Sequence, residues 1–163
     1  MKTFLVSTLF VFVSGHIACG KDAGTPAAAP APGAEAAAKV EYPPLVLAYD
    51  ALREALAIDD LELAKKKAKE LAAVAGAPEK LVAVANDFEK MPTFETARVA
   101  FGEISRAYIT HLAANPDLAK GLITFRCPMA EVYQLWVQTS EPMRNPYMGK
   151  RMLECGSKVE LAP

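Results

Sequence analysis

The sequence predicts an all-α domain, a small antiparallel bundle of about four helices with an irregular Cys- and Met-rich tail packed on it. Three observations predict it. Apolar residues recur at steps of three and four through residues 45–112, the spacing that gives a helix one buried side. Helix-start and helix-stop residues fall between these stripes, and the short connections they imply favour antiparallel neighbours. No long segment alternates apolar and polar residues as a half-buried strand would.

Each element follows from its stripe. Beyond Pro43-Pro44, Leu45, Tyr49, Leu52 and Leu56 mark the first helix. Asp59-Asp60 is a natural N-cap pair for the second, striped by Leu61, Ala64, Ala68, Leu71 and Ala75. Gly76 is a stop signal and Pro78 suits a first turn, after which Leu81, Val84, Ala85 and Phe88 mark the third helix up to Met91-Pro92. Thr93 is placed to cap the fourth, whose stripe of Ala97, Phe101, Ile104, Tyr108 and Leu112 runs to Asn115-Pro116. Lys65-Lys66-Lys67 with Lys69 fall off the second stripe and close to Glu62 and Glu70, which makes them a solvated face and not a basic site. His111, near the end of the fourth helix, is expected to pack or to cap.

The chain has 163 residues, 52% of them apolar, enough for one ordinary domain. A formal net charge of -1 leaves no basic surplus to hold nucleic acid, and no polybasic run or acidic tail is present.

Residues 1–18 read as an export signal, with Lys2 as the positive start and Phe4 to Val13 as an apolar run too short to span a bilayer. Ala18 and Ile17 then precede Cys19-Gly20, a sequence that resembles the lipobox of bacterial lipoproteins, although His16 stands where a lipobox usually has Leu. The resemblance implies that Cys19 becomes the lipidated first residue of the mature protein and that its acyl chains anchor it. The alternative is ordinary cleavage that leaves Cys19 free or paired. Residues 19–43 are dominated by Ala, Pro and Gly and hold too little large apolar surface for a core, so they are expected to be a tether. The folded domain is expected over 44–160.

The tail carries the specific chemistry. Cys127 and Cys155 are an even pair once Cys19 is lipidated, and a disulfide between them closes a loop of about 28 residues, a stabilisation of roughly 3 to 4 kcal/mol in an oxidising compartment. Thiolates and thioethers are also the soft ligands that select Cu(I) or Ag(I), and Met129, Met143, Met148 and Met152 lie in the same stretch. Met129, two residues past one thiol, and Met152, three before the other, are the nearest thioethers in sequence. The candidate metal set is therefore Cys127, Met129, Met152 and Cys155, with a Cys127–Cys155 disulfide as the alternative. Zinc is disfavoured because His111 is the only histidine after the signal segment. Trp136, Tyr133 and Tyr147 can cover the open end of a bundle, and Trp136 and Tyr147 can equally line an aromatic groove for a partner.

Cys127-Pro128-Met129, Trp136 with Gln138, Asn145-Pro146-Tyr147 with Gly149, and Met152-Leu153 before Cys155-Gly156 resemble a bacterial domain of unknown function. That domain forms the C-terminal appendage of periplasmic adaptors in heavy-metal (copper/silver) RND efflux systems and occurs in stand-alone secreted proteins. The likeness extends upstream through Tyr49 to Asp60 and Phe101 to Ser105, and departs over Glu131 to Leu135, where a glycine usual before the tryptophan is missing. It implies a cell-envelope protein facing the periplasm, at the outer membrane when lipidated, with metal-efflux components as partners. It brings no established activity. With no C-x-x-C, no phosphate-binding Gly-rich loop and no nucleophile elbow, the residues offer no catalytic constellation, and no enzymatic role is expected.

Replacing Cys19 by Ser is expected to release the protein from the membrane fraction, and metabolic labelling with palmitate to mark the wild type alone. An unlabelled wild type contradicts the lipid anchor while leaving export intact.

Overall fold

A computed structural model of the chain describes residues 40–131 and 133–161; the expected signal segment 1–18, Cys19 and nearly all of the tether lie outside them. Four helices come first: α1 (Pro44–Ala57), α2 (Leu61–Ala72), α3 (Glu79–Asp87) and α4 (Phe94–Ala114). Each packs against the next in chain order, and α4 also packs on the segment that follows.

The helix ends are where local chemistry puts them. The Asp60 carboxylate accepts from the Leu63 amide at 2.9 Å and starts α2. Thr93 and Thr96 form a reciprocal capping box at the start of α4. Glu62 and Glu70 pair with Lys65 and Lys67 on the outer side of α2, leaving Ala64, Ala68 and Leu71 buried. His111 is half-buried in the last turn of α4, where Asn115 Nδ2 donates to its carbonyl at 2.9 Å.

The tail departs from the all-α expectation. It is not irregular: β1 (Ile123–Arg126), β2 (Leu135–Gln138) and β3 (Ser157–Val159) form an antiparallel sheet in the order β2-β1-β3. The molecule is thus largely helical with a small C-terminal sheet. The strands are three or four residues long, too short for alternation to register, and β2 buries Trp136, Val137 and Gln138 in succession.

The sheet is joined to the helices through the outer edge of β2. The Ser105 hydroxyl on α4 donates to the Leu135 carbonyl at 2.8 Å, and the Tyr147 hydroxyl donates to the same oxygen at 2.8 Å. Tyr49 on α1 shares a hydrogen bond with Ser105 Oγ at 2.7 Å, and the Val137 amide reaches its hydroxyl from the strand. An edge that would otherwise present unpaired backbone groups is therefore covered by three hydroxyls. Burial pushes the Tyr49 and Tyr147 phenols well above the usual tyrosine range, so both stay neutral donors. Aromatic contacts run the same way: Phe125 stacks on Trp136 with centroids 5.5 Å apart, Trp136 meets Tyr147 edge-on at 5.9 Å, and Tyr147 meets Phe101 at 5.5 Å.

Ion pairs hold the tail against α1 and α4. Arg144 binds both carboxylate oxygens of Glu54, at 2.7 and 2.9 Å, and the Thr139 hydroxyl donates to Asp50 at 2.6 Å. Asp59 does not cap α2 with its neighbour. Its carboxylate accepts from Arg98 on α4 and from the Lys150 amide at 3.0 Å, so it docks the tail instead. Gly149 fits over this pair because it has no side chain; a Cβ there would strike both Asp59 and Arg98, and its φ of +60° is one that other residues avoid.

Ser105→Ala is expected to lower stability by about 1–3 kcal/mol, because it leaves the buried Tyr49 hydroxyl proton without its acceptor and weakens the hold on Leu135. Tyr108→Phe breaks no hydrogen bond between described protein groups and is expected to cost clearly less. Urea unfolding of both variants checks the ranking.

Candidate metal centre

The site is built where β1 ends. Arg126 pairs with Ser157 and with Leu135, and one residue further the Cys127 amide donates to the Gln134 carbonyl at 2.9 Å. The chain then turns: the Ala130 amide donates to the Cys127 carbonyl at 3.3 Å, with Pro128 at the turn position its fixed φ suits. Cys127-Pro128-Met129 is thus a tight reversal that returns Met129 toward the thiols.

Cys155 is held by its backbone. The buried Asn145 side chain donates from Nδ2 to the Cys155 carbonyl at 2.5 Å, while its Oδ1 accepts from the amides of Tyr147 at 2.8 Å and Met148 at 3.1 Å. One amide side chain therefore organises the Asn-Pro-Tyr turn and fixes the cysteine ten residues on, a role the sequence signals only as a turn.

The structure brings the two cysteines of the expected set together. Cys127 is fully buried and Cys155 half-buried, both thiols are free, and the Cys155 thiol is close enough to Cys127 for the two to interact electrostatically. Desolvation, reinforced by the Cys127 thiol beside it, pushes the Cys155 thiol up. Its proton must therefore be displaced by any ligand that binds sulfur, which a soft cation can do. Met129 joins the pair, with its Sδ 3.9 Å from Cys155 Sγ. Met152 meets Cys155 through its backbone carbonyl, which accepts from the Cys155 amide at 3.1 Å, while the residue itself is exposed.

The same geometry suits a disulfide, since adjacent thiols across a strand end can bridge. It also suits a soft cation, whose preferred donors are the sulfurs gathered here. Among the described residues no three His, Cys, Asp or Glu side chains are grouped to hold a metal ion, so any centre at this place depends on thioethers.

A groove of about 380 Å³ opens beside Met129, bounded by Glu95, Arg98, Met148 and Arg151, with Tyr147 in its wall. Tyr147 is 6% exposed and reaches a surface there. Trp136 has no exposed surface, so in this fold it packs and does not present itself to a partner. Its indole Nε1 donates to Gln138 Oε1 at 3.2 Å, and Gln138 completes its other bonds in the loop that follows, donating to the Ser140 and Pro142 carbonyls and accepting from the Arg144 amide at 3.1 Å. The i, i+2 spacing of Trp136 and Gln138 is the sequence signal that both lie on one face of a strand. Among the described residues no helix is long and apolar enough to cross a membrane. No family model matches the chain, and neither a curated protein nor a solved structure does.

Proposed function

We propose that the reduced protein binds a soft monovalent cation, Cu(I) or Ag(I), through Cys127, Cys155 and Met129, as a lipid-tethered, periplasm-facing accessory of heavy-metal efflux in the cell envelope. The observation that carries this is the convergence of the two thiols with the Met129 sulfur, 3.9 Å from Cys155, at one end of the sheet. Donors of this kind favour Cu(I), which accepts two or three ligands, over zinc, which wants four harder donors. The tether, the anchor at Cys19 and the efflux setting rest on the sequence resemblances alone. The same reading takes the four helices as an antiparallel bundle, which their short connections and chain-order packing support. It assigns no catalytic residue, and no nucleic acid, to the protein.

The adjacency of the thiols also favours a second reading, in which an oxidised Cys127–Cys155 bridge staples a non-catalytic interaction module. The two readings exclude each other within one molecule, since bridged sulfurs offer no thiolates.

Competition of the reduced full-length protein with a Cu(I) chelator separates them. Cys127→Ser is expected to weaken Cu(I) binding by well over tenfold and Met129→Leu by about tenfold, which corresponds to roughly 1.4 kcal/mol. Unchanged affinity in Cys127→Ser, or no binding by the wild type, leaves the stapled module as the account.

A further inference from the structure

We propose that Cys155 is a site of thiol–disulfide exchange, at which a small external disulfide forms a mixed disulfide with the chain that Cys127 then resolves. This goes beyond both readings above and needs only what they share, two free thiols near each other. The observation that carries it is a difference in access. Cys127 has no exposed surface and belongs to the hydrophobic core, whereas Cys155 is only half-buried and its sulfur meets that of Met129 at the surface, 3.9 Å away. Exchange begins at a thiol that an incoming disulfide can reach, and only one of the two offers that.

The backbone fixes this difference. The Cys127 amide donates to the Gln134 carbonyl at 2.9 Å, and the Cys127 carbonyl accepts from the Ala130 amide at 3.3 Å. The Cys155 amide donates to the Met152 carbonyl at 3.1 Å, and its carbonyl accepts from the buried Asn145 side chain at 2.5 Å. Each cysteine is thus tied at both its N–H and its C=O, so neither shifts without breaking a hydrogen bond. The buried place of one and the open place of the other belong to the fold.

The exchange balances as two displacements. In the first, the Cys155 sulfur, as thiolate, attacks one sulfur of an external disulfide RS–SR. A Cys155–SR bond forms, the RS–SR bond breaks, and the departing RS⁻ takes up the proton that Cys155 gave up. In the second, the Cys127 sulfur attacks Cys155 Sγ. The Cys127–Cys155 bond forms, the Cys155–SR bond breaks, and the second RS⁻ takes the Cys127 proton. The cysteine pair is oxidised by two electrons and the external disulfide is reduced to two thiols. Cys127 needs no path to solvent, because the sulfur it attacks is its neighbour. The raised Cys155 thiol slows the first displacement without changing which sulfur is reached. Reduction runs the same path backwards, with an external thiolate attacking Cys155 Sγ and Cys127 leaving.

Mass-spectrometric mapping of cysteine peptides from the reduced, metal-free full-length protein tests this, with Cys19→Ser as the parent so that the pair is read alone. A brief pulse of iodoacetamide on the folded parent is expected to label Cys155 at least about tenfold faster than Cys127, and urea to erase the difference. With glutathione disulfide, the parent is expected to end as the Cys127–Cys155 bridge. Adding Cys127→Ser is expected to leave a lasting glutathione adduct on Cys155, and adding Cys155→Ser to leave Cys127 unmodified until urea is present. Pulse labelling of the parent needs neither of these variants to fold. Equal labelling of both cysteines in the folded parent overturns the difference in access. A lasting adduct on Cys155 in the parent, with no bridge, overturns the resolving role of Cys127, and a parent that glutathione disulfide leaves unchanged overturns the proposal outright. Chelator competition reads Cu(I) binding separately, so failure of the soft-metal reading and failure of the exchange are told apart.

Discussion

The carbonyl oxygen of Leu135 is the point on which the molecule turns. It lies on the outer edge of β2 and accepts from Ser105 of α4 and from Tyr147 of the tail, while Tyr49 of α1 joins through Ser105. A buried carbonyl without partners is costly, and an edge strand without partners is a site of mispairing. Satisfying it with hydroxyls from two separate segments, one of them tied to a third through Tyr49, fixes the sheet on the helices at one depth and one register. Because β1 pairs with β2 and β3 with β1, the same anchor sets where Cys127 and Cys155 come to rest.

Around that anchor, buried amide side chains do for the loops what hydrogen-bond ladders do for strands. Gln138 has two donors and two acceptor sites on its amide, and all are used within the segment Trp136 to Arg144. Asn145 uses three of its four sites on Tyr147, Met148 and Cys155. These networks are densely paired, which makes them stiff, and stiffness is what lets short irregular loops hold sulfur atoms at fixed places. The Arg144–Glu54 ion pair then fastens the loops to α1 from outside, and Arg98 of α4, paired with Asp59, donates to the Pro146 carbonyl.

The helices were legible in the sequence because their signals are local and repeated. Leu45, Tyr49, Leu52 and Leu56 share a stripe, Asp60 and Thr93 cap, and Phe88 closes α3, all as spacing implies. The sheet was not legible, because strands of three or four residues leave no period and β2 is buried at three successive positions. Asp59 misled for a related reason. A carboxylate before a helix reads as a cap, and only the distant Arg98 and Lys150 reveal that it docks the tail. Met129 is suggested in the sequence by its place two residues past Cys127, and the turn at Pro128 sets its sulfur 3.9 Å from that of Cys155. Met152 is close to Cys155 in sequence yet exposed in the fold, because closeness along the chain does not fix the direction of a side chain.

The central claim is that this corner of the fold is a cage of sulfur donors. X-ray absorption at the copper edge, on the reduced full-length protein loaded with one equivalent of Cu(I), tests it most directly. The account predicts a first shell made of sulfur alone, with more than two scatterers, as thiolates supplemented by thioethers require. A shell containing nitrogen or oxygen donors, or one limited to two sulfurs, contradicts it.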